Sequence, residues 1–168
     1  MTASKTEFIK VLEEHKAIIY KIARSYSKEP DERKDLEQEI VIQIWKSLKN
    51  FNPEYKLSTW IYRIGLNVAI SHLRKDSSRK AKITPMSESI LDLPSNSDEQ
   101  EIISERTEIL YKVINQLNAF NRALILLHLD GKNHKEMSQI MGISESNVGT
   151  KLNRIKSILR QNIQLQNT

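Results

Sequence analysis

The chain contains no cysteine and only four glycines and four prolines among its 168 residues. The lack of cysteine excludes disulfides and thiolate metal sites, and it suits a reducing compartment. Few helix-breaking residues, together with leucine and isoleucine at helical spacing, favour helices over a sheet. We therefore expect an all-α protein.

Long apolar runs are also missing. No stretch approaches the ~20 residues that span a bilayer, and charged side chains interrupt the N-terminus, where an export signal would need an apolar core. We therefore expect a cytoplasmic protein without membrane insertion. The net charge of +5 suits a polyanionic partner without demanding one.

The segment from Asn133 to Arg160 has the pattern of a helix-turn-helix. Asn133 and Glu136 form an approximate capping box for a first short helix, and Gly142 is suited to its left-handed C-cap. Ser144 can cap the next helix. In that second helix the residues at inward spacing are Val148, Leu152, Ile155 and Leu159.

The opposite side of this second helix carries hydrogen-bond donors. The outward residues are Asn147, Thr150, Lys151 and Arg154. In a helix-turn-helix such residues face the major groove of DNA. The alternative is an ordinary amphipathic hairpin whose polar face is merely solvated.

A connector divides the chain. Residues 76–100 contain six serines, two prolines and no sustained apolar period, which is typical of a flexible linker. We therefore predict two small helical domains, residues 1–75 and 101–168, with the helix-turn-helix in the second.

The first domain reads as a helix bundle. Its second helix buries Leu36, Ile40, Ile44 and Leu48, while Asp35, Glu37, Gln38 and Glu39 crowd the other side. Carboxylates near a helix N-terminus are also favoured by the helix dipole. This face is thus either a solvated surface or a docking surface for a basic partner.

A proline-containing loop, residues 51–57, leads to a third helix that we expect Ser58 to cap and to end near Lys75. The loop offers Tyr55 and Lys56, and the helix offers Arg63, Asn67, His72, Arg74 and Lys75. Cations, an amide and aromatic rings together suit single-stranded nucleic acid. Trp60 lies in the apolar stripe and is expected to pack in the core.

Enzyme chemistry has little support. The four histidines, His15, His72, His128 and His134, lie apart and show no metal-ligand spacing. We predict no catalytic residue, no metal and no cofactor.

Two motif sets resemble a known family. The first runs from Asp35 through Trp45, then Phe51-Asn52-Pro53, then Ser58 through Arg74. It resembles the second conserved region of bacterial sigma factors, and residues 105–160 resemble the fourth. With only a short linker between the two, the chain is similar to the extracytoplasmic-function group.

This resemblance implies a dissociable specificity subunit of RNA polymerase. By resemblance, the clamp helices of the largest core subunit would bind Asp35, Gln38, Glu39, Gln43 and Trp45. The non-template single strand of the minus-ten element would bind Asn52, Tyr55, Lys56, Ser58, Arg63, Asn67, Arg74 and Lys75. The minus-thirty-five duplex would bind Asn147, Thr150, Lys151 and Arg154. An anti-sigma factor that clamps both domains is a possible further partner.

The free chain is expected to be a monomer. A stand-alone repressor or activator remains the alternative, because it would use the same helix-turn-helix as a dimer on palindromic DNA. Two positions depart from the family pattern. Gly149 follows Val148 where many relatives have a cation, and Asn118, a reasonable helix cap, stands where relatives often have proline.

Overall fold

The computed structural model describes residues 5–82 and 105–167, and the secondary structure within these ranges is helical, with no strand. The first domain contains helices α1 (Lys5–Tyr26), α2 (Pro30–Ser47) and α3 (Leu57–Lys82), with a 3₁₀ turn at Leu48–Asn50 after α2. The second contains α4 (Glu105–Ile114), α5 (Ala119–Leu129), α6 (His134–Met141) and α7 (Glu145–Asn167). The predicted all-α, two-part fold is confirmed.

The first domain is a three-helix bundle around a core of branched aliphatic side chains. Its fully buried residues include Ile22, Leu36, Ile40, Ile44, Ile61 and Leu66. Helices α1 and α3 approach closely at Gly65, where an added Cβ would lie 2.8 Å from Ile22 Cδ1. The missing side chain therefore sets the distance between these two helices.

Helix α3 differs from its prediction at both ends. It begins at Leu57, where the carbonyl of Lys56 accepts the amide of Trp60 at 3.1 Å. Ser58 is therefore a residue of the first turn and does not cap the helix. The helix continues to Lys82, beyond the predicted end at Lys75, so the first seven positions of the predicted linker are helical. Residues 83–100 of that linker lie outside the described residues.

Local capping defines the helices of the second domain. The Asn118 side chain accepts the amide of Asn121 at 2.8 Å, and the Asn133 side chain accepts that of Glu136 at 2.8 Å. Gly142 ends α6 with φ of 71°, and Ser144 Oγ accepts the amide of Asn147 at 3.1 Å. All four caps predicted for the second domain are confirmed. The inward residues of α7 are buried as predicted, namely Val148, Leu152, Ile155 and Leu159.

The two domains pack against each other. Helix α5 lies against α1 and α3, and α6 lies against α3. Two tyrosines of the first domain, Tyr26 and Tyr62, are almost fully buried and hydrogen-bond to the second domain. Within the described ranges no helix combines the length and apolarity that a bilayer crossing requires.

Candidate nucleic-acid interface

One face of α2 carries exposed polar side chains together with two exposed apolar ones, Ile42 and Trp45. The predicted polymerase-binding side chains are all exposed, namely Asp35, Gln38, Glu39, Gln43 and Trp45. Leu36, Ile40 and Ile44 between them are fully buried. The face becomes apolar toward its C-terminal end, where Trp45 is 47% exposed and its ring stands edge-on to Phe8 with centroids 4.7 Å apart. The α2 face thus combines carboxylates with an exposed aromatic residue.

Helix α3 presents a second polar stripe. Arg63, Asn67, Arg74 and Lys75 are exposed at spacings that keep them on one side of the helix. A groove of about 360 Å³ separates this stripe from α2, and Asn67 and Lys75 face Glu39 across it. His72 Nδ1 lies 3.8 Å from Glu39 Oε2 at the same place. The structure therefore brings members of the predicted polymerase-binding and DNA-binding sets together.

The loop before α3 is built by a side-chain turn. Asn52 Oδ1 accepts the amide of Glu54 at 3.0 Å, which is an Asx-turn. Asn52, Tyr55 and Lys56 are exposed. Trp60 is half-buried and stands edge-on to Phe51, with ring centroids 5.2 Å apart. Its packing role agrees with the sequence-based expectation.

The second domain covers part of this loop. Lys132 Nζ donates to Ser58 Oγ at 3.1 Å, and Lys56 Nζ lies 4.0 Å from Glu136 Oε2. A cleft of about 440 Å³ remains between the loop and α6, lined by Tyr55 and Lys56 on one side and by Glu136 on the other. Sequence reasoning missed Lys132 and assigned Glu136 only to a cap, because no local pattern signals a contact between distant segments.

The outward face of α7 is open, with one exception. Asn147, Thr150 and Arg154 are exposed, and Thr150 Oγ1 donates to the carbonyl of Ser146 at 3.1 Å. Lys151 is half-buried, with Nζ 5.4 Å from the centre of the Phe120 ring. Its placement on the fully outward side was therefore only partly right, since its stem packs on the domain.

Gly149 faces α6. A Cβ at this position would lie 3.5 Å from Cε1 and 3.7 Å from Nδ1 of His134. The space left by the absent side chain is thus bordered by the histidine ring at the start of α6.

Asp130 is the central acceptor of the contact between the domains. Its carboxylate accepts from Lys21 Nζ at 2.9 Å and from the Tyr62 hydroxyl at 2.5 Å. Burial alone would raise the pKa of Asp130, but the hydrogen bonds from Lys21 and Tyr62 and the charges of Lys21 and Lys132 together outweigh burial and lower it. Burial and the bond to Asp130 raise the pKa of Tyr62 well above its ordinary value.

A second set of contacts joins α1 to α5. The Tyr26 hydroxyl donates to the carbonyl of Ala119 at 2.6 Å, and Arg122 Nη1 donates to the carbonyl of Ser25 at 3.1 Å. Arg122 is only 9% exposed, and burial lowers its pKa, although Tyr26 acts in the opposite direction. We refer to these contacts, together with those of Asp130, as the domain joint.

No cluster of three or more potential metal-binding side chains occurs in the part of the chain that the structure describes.

Comparison with known proteins assigns both domains. Residues 11–79 match the model of Sigma-70 region 2, and residues 107–159 match that of Sigma-70, region 4. The RNA polymerase sigma factor SigZ of Bacillus subtilis is 30% identical over 128 residues, which are 76% of this chain and 70% of that protein. The ECF RNA polymerase sigma factor SigX of the same organism is 27% identical over 143 residues, 82% and 74% of the two chains.

Solved structures share the fold. The sigma factor RpoE of Bartonella quintana, in complex with the anti-sigma factor NepR, superimposes with a TM-score of 0.68 at 21% identity, covering 95% of this chain and 96% of that one. CnrH, in complex with the cytosolic domain of CnrY, gives a TM-score of 0.67 at 18% identity, covering 97% and 91%.

These matches do not favour a stand-alone repressor or activator, because both regions of a sigma factor are present in order. The chain belongs to the extracytoplasmic-function sigma factors, which recognise promoters and initiate transcription with RNA polymerase.

Proposed function

We propose that the two domains divide the work of a sigma factor. Residues 1–75 would bind core RNA polymerase and the minus-ten element, residues 76–100 would link the domains, and residues 101–168 would bind the minus-thirty-five element. The chain itself would carry out no catalytic step and would act in the cytoplasm. Protein binding energy alone would then open the promoter.

The polar face of α2 is the proposed docking surface for the clamp helices of the largest core subunit. The observation that carries this proposal is the exposure of all five predicted side chains around a fully buried aliphatic row. Asp35 and Glu39 would pair with cations of the partner, and Trp45 would supply an aromatic anchor. Aromatic anchors dominate the binding energy of many interfaces.

The loop before α3 and the α3 stripe are the proposed site for the non-template strand of the minus-ten element. Asn52, Tyr55, Lys56 and Ser58 lie on or beside the loop, and the stripe adds Arg63, Asn67, Arg74 and Lys75. Cations would pair with phosphates and Tyr55 would stack on a base. Extruding a base costs a few kcal/mol of unstacking, which these contacts would offset.

The N-terminal part of α7 is the proposed reader of the minus-thirty-five duplex. Asn147, Thr150 and Arg154 would reach base edges and phosphates. Lys151 would approach the backbone with its ammonium group, since its stem packs on Phe120.

An anti-sigma factor is a proposed second partner. The two similar folds were solved in complexes, RpoE with the anti-sigma factor NepR and CnrH with the cytosolic domain of CnrY. A comparable protein would bind this chain when it is not on polymerase. We further propose that the free chain is a monomer.

The test of the docking surface is co-elution with sigma-free core RNA polymerase in size-exclusion chromatography. The double variant Asp35→Lys with Glu39→Lys should no longer co-elute, while its circular dichroism spectrum stays that of the wild type. Glu13→Lys with Glu14→Lys, which makes the same charge change on exposed positions of α1, should still co-elute. Normal co-elution of the α2 variant would remove the docking assignment.

A further inference from the structure

A cleft bordered by α1, α2 and α4 lies outside the surfaces assigned so far. Its volume is about 730 Å³, which falls in the range of small-molecule sites. We propose that this cleft binds a small ligand with a chain of two or three phosphate groups, either a nucleoside triphosphate or inorganic triphosphate. None of the residues proposed to bind polymerase or DNA lines the cleft, so the proposal is independent of their roles.

Four cations from both domains converge on the cleft. Arg24 comes from α1, Lys28 from the turn after it and Arg33 from α2, while Lys112 comes from α4. Only two carboxylates line the same space, so the cleft carries an excess of positive charge. Several cations in one concave site attract a compact anion of multiple charge more strongly than a singly charged one.

The charges are separated along α4. The two carboxylates, Glu105 and Glu108, are exposed in the first turn of this helix. Lys112 lies about one turn beyond Glu108, and Tyr111 beside it contacts Arg24. A short phosphate chain can stay at the basic end of the cleft. The continuous row of phosphates in a nucleic acid would also meet the carboxylates, so the lining favours the short chain.

The two arginines are held in place before any ligand binds. Arg33 Nε donates to the carbonyl of Ser27 at 3.0 Å, and its Nη2 donates to that of Lys28 at 2.9 Å. These bonds use only part of the five N–H donors of a guanidinium. Arg24 lies over the Tyr111 ring, 4.3 Å from its centre. Side chains that are already fixed lose less conformational freedom when they bind an anion.

The positive charges of the arginines disfavour each other. Burial lowers the pKa of Arg33, and the charge of Arg24 lowers it further. Tyr20, Glu29 and Glu37 act in the opposite direction without reversing the shift. A phosphate chain between the two guanidinium groups would relieve their repulsion, so an anionic occupant is favoured.

The cleft also contains an amide without a partner. Asn115 lines it, and the Oδ1 atom of this side chain is buried with no hydrogen-bond partner in the described part of the chain. The backbone there is fixed, because the carbonyl of Asn115 accepts Arg122 Nη2 at 2.5 Å. A turn of the side chain alone would bring Oδ1 to a ribose hydroxyl or a nucleobase amino group. An unpaired acceptor gains from such a donor, which favours a nucleoside triphosphate as the source of the phosphates.

The test uses the full chain and four probes, namely ATP, GTP, inorganic triphosphate and AMP. Isothermal titration calorimetry at constant ionic strength measures their affinities. The variant Lys28→Glu with Lys112→Glu reverses two exposed cations of the cleft. Its matched control is Lys10→Glu with Lys16→Glu, which makes the same charge change at exposed positions of α1. Circular dichroism confirms that each variant is folded.

A second readout locates the ligand. Acetic anhydride at limiting concentration acetylates exposed lysines, and mass spectrometry of the peptides measures the rate at each position. Bound ATP should slow acetylation of Lys28 and Lys112 and leave the rates at Lys10 and Lys16 unchanged.

We expect all three triphosphates to bind the wild-type chain and AMP to bind more weakly, because it brings a single phosphate. The cleft variant should bind the triphosphates about tenfold more weakly, since each exposed cation contributes modestly and its reversal adds repulsion. The control variant should behave like the wild type.

The source of the phosphates follows from the probes. Tighter binding of ATP or GTP than of inorganic triphosphate would assign a nucleotide ligand, and Asn115→Ala should then remove the difference. Equal affinities would assign inorganic polyphosphate, and either result supports the site.

Four results would overturn the proposal. The first is that no triphosphate binds at millimolar concentration. The second is equal weakening by the cleft and control variants, which would trace binding to net charge. The third is protection of Lys56, Lys75 and Lys151 in place of Lys28 and Lys112, which would locate the phosphates on the proposed DNA-binding surfaces. The fourth is protection of Lys28 and Lys112 by a single-stranded oligonucleotide but by no triphosphate, which would make the cleft a nucleic-acid surface.

Discussion

Arg122 has an unusual position for an arginine. It is almost fully buried and donates to the carbonyl oxygens of Leu117, Asn115 and Ser25. Two of these acceptors belong to the turn between α4 and α5 and the third lies on α1, so the guanidinium ties that turn to the first domain. No periodic pattern in the sequence reveals this role.

Replacing Arg122 by alanine should lower the free energy of unfolding by about 2–4 kcal/mol, because three buried acceptors lose charged donors. The free energy of unfolding of Arg122→Lys should lie between those of the wild type and Arg122→Ala, since an ammonium cannot reproduce the forked geometry of the guanidinium. Urea unfolding followed by circular dichroism measures the change, with exposed Arg160→Ala as the control. A loss for Arg122→Ala as small as that of the control would contradict the account.

Gly149 offers a stabilising substitution. Because an added Cβ would make only ordinary van der Waals contact with His134, Gly149→Ala should raise the free energy of unfolding by up to about 1 kcal/mol through helix propensity. Gly142→Ala is the informative comparison, since its φ of 71° disfavours a side chain and it should destabilise by about 1 kcal/mol. Thermal unfolding distinguishes the two variants. A lower melting temperature for Gly149→Ala than for the wild type would mean that a side chain at position 149 strains α7.

At the scale of elements, α7 carries the clearest prediction about DNA. Arg154 is exposed on the same side as Asn147 and Thr150, so Arg154→Ala should weaken binding of a minus-thirty-five duplex. If Arg154 contacts a phosphate, the variant should lose affinity uniformly across DNA sequences, and its affinity should depend less on salt concentration. If Arg154 contacts a base, the variant should lose about 1–3 kcal/mol of binding free energy and discriminate less between bases at one position.

The measurement is binding of the full chain to a set of single-base duplex variants at several salt concentrations. Arg160→Ala, about six residues farther along the helix, is the control and should change little. Equal binding by wild type and Arg154→Ala would show that the orientation assigned to α7 on DNA is wrong.

The sequence predicted the elements whose ends are defined locally. Asn118, Asn133 and Ser144 each cap a helix by accepting a backbone amide three residues away. The residue that predicts each cap and the amide that it binds therefore lie within one helical turn. The start of α3 was misplaced by two residues because a serine that resembles a cap stands inside the helix.

Of the candidate site, the sequence predicted the exposed faces and missed how they meet. Aliphatic residues at helical spacing identify the buried side of a helix and so its polar face, which is why the α2 and α3 surfaces were found. The Lys132–Ser58 and Lys21–Asp130 contacts join residues separated by 74 and 109 positions, and no local periodicity encodes them.

For the whole molecule, the joint at Asp130 predicts a response to acid. The pKa of Asp130 is lowered in the folded chain, so its contribution to the contact between the domains is fully present above the ordinary range of an aspartate, near pH 4. It is lost as the pH falls through the lowered value, because protonation removes the charge that Lys21 and Tyr62 stabilise.

We therefore expect the radius of gyration, measured by small-angle X-ray scattering, to increase as the pH falls below about 4 while far-UV circular dichroism still reports helices. The Asp130→Asn variant should already have the larger radius of gyration at neutral pH, and that radius should change less as the pH falls. A wild-type chain that stays equally compact until its helices unfold would argue against Asp130 as the centre of the joint.

The contact between Phe51 and Trp60 has an optical consequence. The chain has two tryptophans, and both belong to the first domain: Trp60 beside the loop before α3 and Trp45 on the α2 face. Tryptophan emission therefore reports on the first domain alone, without a label. In a Trp45→Phe background the remaining indole would register a base stacking near the loop, and departure of the second domain from that loop would alter the same signal before any DNA is added.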